Sequence, residues 1–494
     1  MKGDSMSLRI NHNISAINSH RNLIQNTKTQ AKNLERLSSG LKINRGADAP
    51  AGLIISERLR AQVAGLNQAI DNSEAGISLM QTAEGALEEV NRALINIRQL
   101  TVASANEATN DDFMLEANQE EILNSLQLID RISRIANYGK KAILDGSMGA
   151  NGITTGDHLE FIEASVDTQT SPVGGYDIMI KEAATRSMIE GSVALSTDII
   201  DREEQITLVE GGKTLNFVTT AGDTVETTMN KLEKALKASG LNIEMLREPG
   251  MATEANQPQF LAFRHKEYGS EPSFQVASNT AGLLSANSDV PVLVQNGIDV
   301  AGTIGGEFAQ GEGQVLTGSE PTKVSGIQIK YTGDVAPEGE FAGTVTIAQN
   351  SSVFQIGANH EQSTSFSLRS TGTKRLGKGI ENDSGFRSLH EIDVTDTQKA
   401  LDSMKIVDRA IEEISSFRGD MGAFQKNNLE SNLNYLRNAH ENLTNAESVI
   451  RDADMAEEMT NFTRNQIMVQ SNTAMLAQAN QTPNAVLTLL QGRA

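Results

Sequence analysis

The chain of 494 residues contains no cysteine and no tryptophan, and only 4% of its residues are aromatic. Without cysteine it has no disulfide, no thiolate metal ligand and no cysteine nucleophile. Its net charge of −21 argues against a nucleic-acid-binding protein, which needs a basic face to neutralise phosphates. The scarcity of aromatic residues favours extended helices whose cores are aliphatic.

Long apolar runs are absent as well. No stretch approaches the roughly 18 consecutive apolar residues of a membrane span. The N-terminus has no apolar core of roughly 7–15 residues, so we expect no cleavable signal peptide. If the protein leaves the cell, a route that needs no such signal must export it.

Proline is scarce in the two ends of the chain and concentrated in the middle. The ends contain only Pro50 and Pro483, whereas the central region contains Pro172, Pro249, Pro258, Pro272, Pro291, Pro321 and Pro337. This region is also rich in glycine, threonine and short apolar alternations, which are typical of β-structure. We therefore predict a mainly α fold with a β-rich insert. Long helical coiled-coil arms from both termini would form an elongated bundle, and the insert would form one or two central α+β surface domains.

Heptad spacing of apolar residues supports the helical arms. The first stripe is Ile10, Ile14, Ile17, Ile24 and Ala31, followed by Leu34, Leu37 and Leu41. Further stripes are Val63, Leu66, Ile70, Ile77, Met80, Leu87, Val90, Leu94 and Ile97, then Leu115, Ile122, Leu126 and Ile129. The C-terminal stripes are Met404, Val407, Ile411 and Ile414, then Leu429, Leu433, Leu436, Leu443 and Ile450, and finally Met455, Met459, Phe462, Val469 and Leu476.

Two ways of burying these stripes are possible. An intramolecular bundle is expected for the segment after Val63, and intermolecular burial for Ser7–Leu41 and Met455–Leu490, because isolated helices are marginal without packing. The two termini also carry opposite net charges and should attract each other. Residues 1–45 hold eight Lys or Arg against two acids, and residues 440–494 hold three against six. Thr482-Pro483 predicts the start of a separate short C-terminal helix.

Several segments together resemble bacterial flagellin. At the N-terminal side these are Leu34–Asn44, Ala47–Leu53, Gly65–Ala69 and Gln81–Leu87. At the C-terminal side they are Ala479–Pro483, Val486–Leu490 and Met421–Gln425, the last resembling the family's turn between two helices. The resemblance covers residues 6–150 and 353–494. Gly46–Pro50 departs from the acidic pair that is more usual there.

The resemblance implies a structural subunit of the bacterial flagellar filament, exported unfolded through the type III apparatus and polymerised outside the cell. Implied partners are further copies or sister flagellins, an export chaperone and assembly factor, and the filament cap and hook-associated proteins. The arms would pair in the filament core. No enzyme activity, cofactor, metal, nucleic acid or membrane span is expected.

The resemblance also implies five segments. They are 1–45 (N-terminal core helix), 46–180 (inner tube helices and the start of an inner β region), 181–350 (surface insert), 351–454 (return to the inner tube) and 455–494 (C-terminal core helix). The residues that we expect to mediate core assembly are Ile10, Ile14, Ile17, Ile24, Leu34, Leu37, Leu41, Met455, Met459, Phe462, Val469, Leu476, Leu487 and Leu490.

The insert is predicted to be β-rich. Gln205–Val209 and Thr214–Val218 alternate around Gly211-Gly212, which predicts a hairpin. A helix capped by Asp223 should follow and end at Gly240. Further strands are predicted at Gln259–Phe263, Ser273–Val276, Val290–Val294, Gly326–Tyr331 and Gly343–Ile347, and Gly297–Leu316 resembles the flagellin hook IN motif.

Two apparent catalytic motifs lack the residue spacing that their chemistry requires. A zinc-protease helix needs a second histidine four residues after the first. The residues four positions after His360, His390 and His440 are Thr364, Val394 and Thr444. Gly212-Lys213-Thr214 lacks the earlier glycine of a phosphate loop.

One recognition site is implied by the family. Leu94, Arg98, Leu100 and Glu121 match the segment of flagellins that Toll-like receptor 5 recognises, whereas Ile95, Asn96 and Gln99 depart from it. The loss of charge-assisted contacts predicts weakened recognition. Alternatively, Leu94 and Leu100 serve only helix packing.

Two alternative functions remain from the sequence. A hook–filament junction protein or another hook-associated protein shares the terminal arms, and a decorated flagellin would have an adhesive or enzymatic insert. The match at both termini favours the filament subunit.

Overall fold

The computed structural model describes residues 12–106, 108, 110–247, 258–380 and 382–491, with side chains up to residue 481. Ile10 and the side chains of Leu487 and Leu490 therefore lie outside the described residues. The chain divides into two compact units. The first comprises Met1–Gly76, Gln355–Ser363 and Asn427–Ala494, and the second comprises Ile77–Phe354 and Thr364–Lys426.

Four helices contribute to the first unit: α1 (Ile14–Ser39), the beginning of α2 (Pro50–Ser104), α7 (Ser431–Arg451) and α8 (Met455–Gln491). The Asn13 side chain caps α1 by accepting the Ala16 N–H at 3.0 Å. Gly40 ends the helix in the left-handed region at φ 72°, which glycine adopts without strain. The predicted helix start at Thr482-Pro483 is wrong, since α8 continues through both residues.

A small apolar core lies between α2 and α7 in the first unit. Leu66, Ala69 and Leu436 are buried, with Ile70 and Ala358 packed against them. Arg437 donates to Glu74 at 2.7 Å and Arg451 to Glu57 at 2.7 Å, so ion pairs flank this core. The strands β18 (Ser352–Gln355) and β19 (Ser363–Phe366) form a two-stranded sheet.

Helical packing in the second unit involves the later part of α2, α3 (Asp112–Ile135) and α6 (Thr397–Phe424). The predicted apolar stripes face the interior of this unit, as the burial of their side chains shows. The buried members are Met80, Leu87, Val90, Leu94, Ile97, Leu115, Ile122, Leu126, Ile129, Val407 and Ile414. Asn118 donates to Ser104 at 3.0 Å and Arg418 to Glu84 at 3.2 Å, which joins α2 to α3 and to α6. The expected intramolecular bundle is therefore present here.

The C-terminal helices are connected differently from our prediction. Met421–Gln425 is predicted to form a turn, but α6 continues into a π-helical segment, Gln425–Glu430, and then into α7. Met421, Phe424 and Leu429 are buried, so the extra residue of each π-turn keeps an apolar face inward. A 3₁₀ turn, Leu389–Glu391, precedes α6.

The largest sheet has eight strands in the order β3-β17-β5-β13-β14-β15-β16-β4. The strands are β3 (Ala150–Thr155), β4 (Leu159–Glu163), β5 (Tyr176–Glu182), β13 (Ala301–Ile304), β14 (Glu307–Glu312), β15 (Val315–Gly318), β16 (Gln328–Tyr331) and β17 (Phe341–Gln349). All pairs are antiparallel, and alternate residues such as Ile178, Ile180 and Ile304 are buried in one core. The predicted segment boundary at residue 180 falls inside β5, because the sheet combines strands from both sides of it.

A second core lies between residues 195 and 294. It contains α4 (Thr197–Ile200), α5 (Val225–Ser239) and strands in two sheets, ordered β6-β10-β9 and β12-β11-β7-β8. The strands are β6 (Arg186–Glu190), β7 (Gln205–Glu210), β8 (Lys213–Val218), β9 (Ile243–Leu246), β10 (Ala262–Tyr268), β11 (Gln275–Ser278) and β12 (Val292–Leu293). The remaining strands, β1 (Asn137–Tyr138) and β2 (Lys141–Ala142), form a separate pair. The β-rich central region thus has two hydrophobic cores, one of which includes residues before the insert.

The predicted hairpin at Gly211-Gly212 is confirmed, with Glu210 opposite Lys213. The predicted cap of α5 is wrong: the Thr224 side chain accepts the Thr227 N–H, while Asp223 forms an ion pair with Lys231. Gly240 ends the helix as expected. The predicted strands overlap the observed ones with shifted ends, and the segment resembling the hook IN motif forms β13, β14 and the start of β15.

Candidate functional site

The arm helices α1 and α8 pack side by side in the first unit. They are antiparallel, since the Asn13 Nδ2 donates to the Ala479 carbonyl at 2.7 Å and the Arg36 guanidinium donates to Glu458 Oε1 at 2.8 Å. Residues 13–36 of one helix therefore lie alongside residues 458–479 of the other. This pair contains most of the residues that we expect to mediate assembly.

The predicted apolar stripe of α1 does not face α8. Ile14, Ile17, Ile24 and Leu34 are 56–61% exposed, while Leu37 and Leu41 are half-buried. The predicted residues of α8 divide into two groups. Met455 and Met459 are exposed, whereas Phe462, Val469 and Leu476 are half-buried. We call the exposed set the outer stripes: Ile14, Ile17, Ile24, Leu34, Met455, Met459, Ile467, Met468 and Met475.

A different and more polar seam lies between the two helices. The residues of α1 with reduced exposure are spaced by three and four: Ala16, Ser19, Leu23, Asn26, Gln30, Asn33 and Leu37. Those of α8 follow the same spacing: Glu458, Phe462, Asn465, Val469, Asn472, Leu476 and Ala479. We call this set the inner seam. The spacing of apolar residues does not reveal its polar members, although Asn26 and Asn33, like Asn465 and Asn472, are seven residues apart.

The inner seam buries polar groups near the base of the pair. Asn33, Glu458 and Asn465 are 6–8% exposed. Within the described residues, Asn33 Nδ2, Arg36 Nε and Glu458 Oε2 are buried without a hydrogen-bond partner. Burial of such groups costs free energy. The seam therefore stabilises the pair less than an apolar seam of the same length would.

Backbone and ionic contacts tie the base of the pair together. The Lys42 N–H donates to the Arg451 carbonyl at 2.7 Å, and the Ala453 N–H donates to the Gly40 carbonyl at 2.9 Å. In the loop that follows α1, the Asp48 carboxylate lies 2.7 Å from the Nζ of Lys32 on the helix. The hydrogen bond from Lys32, with those from the Arg45 and Asn44 backbone N–H groups, lowers the pKa of the Asp48 carboxyl to about 2. The loop that resembles the family motif is thus fixed to the base of α1.

The possible receptor segment lies on α2 in the second unit. Leu94 is fully buried and Leu100 is half-buried, which is the packing role that we gave as the alternative. Arg98 is exposed, and its Nε lies 2.5 Å from Asp408 Oδ1. The Asp408 hydrogen bond raises the pKa of the Arg98 guanidinium. Glu121 is exposed and accepts a 3.4 Å hydrogen bond from Asn96.

Neither a metal site nor a membrane span is found in the part of the chain that the structure describes. Among these residues, no three His, Asp or Glu side chains lie close enough to hold a metal ion. None of the described helices is long and apolar enough to cross a membrane.

Two family models and the relatives found by sequence comparison belong to one family. The model of the bacterial flagellin N-terminal helical region matches residues 10–148, and that of the C-terminal helical region matches residues 404–490. The B-type flagellin of Pseudomonas aeruginosa is 32% identical over 506 residues, covering 98% of this chain and 100% of the relative. The flagellin of Clostridium tyrobutyricum is 31% identical over 478 residues, covering 96% and 99%. The solved structure of FliC from Burkholderia pseudomallei has 15% identity and a TM-score of 0.24, covering 71% of this chain and 99% of that one.

Proposed function

The chain belongs to the bacterial flagellin family and is a structural subunit of the flagellar filament, and from this membership we propose that copies polymerise through the outer stripes of α1 and α8. The filament is extracellular, and the protein is structural rather than an enzyme. Similarity to flagellins over nearly the whole chain favours this role over that of a hook–filament junction protein.

One observation supports the proposal above all others. The outer stripes expose nine large apolar side chains, each by 43–61%, along two helices whose inner seam is partly polar. Apolar surface of this extent is rare on monomers and is typical of interaction sites. In a filament built from this chain, the neighbouring surface is a second copy.

The energetics point the same way. Isolated helices are marginal in water, and the polar inner seam adds little to the stability of the pair. Burial of the outer stripes against other copies would contribute about 25 cal/mol per Å² of apolar surface. Assembly would therefore supply most of the free energy that holds α1 and α8 together.

Electron microscopy of seeded growth tests this proposal. Purified chain is added to short filament seeds, beside a version that lacks residues 1–45 and 455–494. We expect long filaments from the full chain and none from the truncated one. Growth by the truncated version would exclude assembly through the arms, and capping of hook ends without elongation would favour the junction protein.

Two substitutions on α1 distinguish the contribution of the outer stripe to assembly from that of the rest of the helix surface. Ile24→Glu places a charge in the outer stripe, and Gln25→Glu places the same charge at the next exposed position. We expect Ile24→Glu to stop elongation and Gln25→Glu to retain it, because a buried unpaired charge is strongly unfavourable. Equal growth of the two variants would contradict the proposed interface.

We further propose that export proceeds unfolded, without a cleavable signal, through the flagellar type III apparatus. An export chaperone and assembly factor would cover the exposed methionines of α8, and the cap and hook-associated proteins would meet the same arms. Secretion of the chain by cells with and without this apparatus, followed by N-terminal sequencing of the product, tests the route. Secretion without the apparatus, or a trimmed N-terminus, would contradict it.

For Toll-like receptor 5 we propose weakened recognition. Leu94 is buried and Arg98 is already bonded to Asp408, so a receptor would have to compete for that guanidinium. Ile95, Asn96 and Gln99 also replace the polar groups of the family segment. A receptor reporter assay beside a flagellin with the full segment tests this, and an equally strong response would contradict it.

A further inference from the structure

The inner seam offers few apolar contacts that define one alignment of α1 with α8. Its apolar members recur every seven residues, as Val469 and Leu476 do on α8. A slip of one heptad, about 10 Å at 1.5 Å per residue, would again place aliphatic side chains opposite each other. The apolar part of the seam therefore tolerates more than one alignment.

Two polar contacts near the ends of the pair have no such periodicity. Asn13 caps α1 through its side-chain oxygen and donates its Nδ2 to the Ala479 carbonyl at 2.7 Å. Near the other end, Arg36 donates to Glu458 at 2.8 Å, and their side chains are only 23% and 10% exposed. A slip of seven residues would break the second contact and leave a largely buried carboxylate without its cation, which is strongly destabilising.

Resting on the proposed assembly through the arms, we infer that these two contacts form a register clasp, defined as Asn13 with the Ala479 carbonyl and Arg36 with Glu458. The clasp selects one antiparallel alignment of α1 and α8. Buried polar pairs are known to specify alignment in coiled coils at a cost in stability. In this pair the clasp would align the outer stripes, so that each copy presents the same apolar surface to its neighbours.

The backbone bonds at the base are the competing explanation. The hydrogen bonds of Lys42 with Arg451 and of Ala453 with Gly40 also hold the end of α1 beside the beginning of α8. If they set the alignment alone, the clasp is dispensable. An experiment that retains these bonds and removes only the clasp separates the two explanations.

Because the chain contains no native cysteine, spin labels attach only to cysteines that are introduced. Cysteines replace Lys28 on α1 and Gln470 on α8, which are both exposed and outside the clasp and the outer stripes. The doubly labelled chain is diluted into a large excess of unlabelled chain and grown on seeds. Double electron–electron resonance then measures the distance between the two labels of one chain within filaments that the unlabelled chain builds.

Three labelled chains are compared. The first has the natural clasp. The second has Asn13→Asp, Arg36→Met and Glu458→Leu; the aspartate introduced in place of Asn13 can still accept the Ala16 N–H but has no N–H to donate to Ala479. The third has the reversed pair Arg36→Glu with Glu458→Arg and retains Asn13.

We expect one narrow distance from the natural chain. The chain without the clasp should show a broadened distribution with a second component, because a slip of one heptad moves the two labels past each other by about 10 Å along the helix axis. The reversed pair should restore the single distance. An unchanged narrow distance without the clasp would overturn the inference and assign the alignment to the backbone bonds.

The amount of labelled chain that enters the filaments gives a second measurement, which also applies to a variant whose α1 and α8 fail to pair. The label content of washed filaments is compared for Arg36→Glu alone and for the reversed pair. Exclusion of the single variant and recovery by the pair would support the clasp, and equal incorporation of both would contradict it. Failure of the unlabelled chain to extend seeds would instead contradict the proposed function.

Discussion

The α1–α8 pair of the first unit and the helices of the second unit bury different side chains. In the second unit, Met80, Leu87, Leu94, Ile122 and Ile129 are at most 1% exposed. In the arm pair, the stripe of α1 with similar spacing is 56–61% exposed, and the helices meet through a seam that contains asparagine, glutamine and serine.

This difference follows from the surfaces available to each stripe. In the second unit, α2, α3 and α6 present apolar faces to one another, so the stripes are buried within one chain. The arm pair has two helices and more apolar surface than one contact can cover. The remaining apolar surface is available to other copies, which is what a polymerising subunit requires.

Truncation of one core residue should give the largest change in stability. Leu94→Ala removes a fully buried side chain, and we expect the free energy of unfolding to fall by about 2–5 kcal/mol. Urea denaturation of the monomer measures this change. Ile95→Ala is the matched control at the next position, which is 43% exposed, and should change stability by no more than about 0.5 kcal/mol. Equal losses would show that the stripe is not the core.

The second unit also contains a half-buried carboxylate, Glu413, whose side chain is 22% exposed. Burial raises the pKa of Glu413 on α6 to about 7, against an ordinary value of 4.5, while the Gly377 N–H and Arg409 lower it in part. A raised folded-state pKa favours the protonated form, so this group's contribution is retained below about pH 4.5 and is lost as the pH rises through about 7.

Glu413→Gln should therefore increase the free energy of unfolding at about pH 8.5 by about 2–3 kcal/mol and have little effect near pH 4.5. Urea denaturation at the two pH values measures the difference. Glu412→Gln, at a neighbouring position whose side chain is 73% exposed, is the control and should show no such pH dependence. An equal gain at both pH values would contradict the raised pKa.

Truncation of a residue in the outer stripes should impair filament growth rather than monomer stability, unlike truncation in the core of the second unit. Ile24→Ala should change monomer stability by no more than about 0.5 kcal/mol, because the side chain is already 56% exposed. It should nevertheless raise the critical concentration for filament growth about tenfold, the equivalent of about 1.4 kcal/mol of lost contact. Sedimentation of filaments at a series of monomer concentrations measures this. Gln25→Ala, which changes the adjacent exposed residue, should leave the critical concentration unchanged.

The smallest effect is expected at the surface of the second unit. Asp408→Asn removes the ionic partner of Arg98, and both side chains are about half exposed, so stability should be nearly unchanged. The free guanidinium should increase the response of a Toll-like receptor 5 reporter. Asp420→Asn, a control on the same helix, should have no effect on the reporter. An unchanged response to Asp408→Asn would show that this ion pair does not limit recognition.

Much of this protein was determined by the sequence. Heptad spacing located every long helix, because helix formation and amphipathic spacing are local properties. Gly240 marked a helix end and Gly211-Gly212 marked a hairpin, because glycine adopts the left-handed region without strain. The terminal motifs identified the family.

The tertiary structure decided which face of each helix is buried. Spacing gives the stripe but not its partner, so Ile24 and Leu94 look alike in sequence, yet one is exposed and the other buried. The polar part of the inner seam was not predicted, because Asn33 and Glu458 are polar and only contacts between distant parts of the chain give them a shared role. Its apolar members Phe462, Val469 and Leu476 belong to a predicted stripe. The strand order of the large sheet, the two cores of the β-rich central region and the continuous path from α6 to α7 likewise depend on long-range packing, which local sequence patterns do not encode.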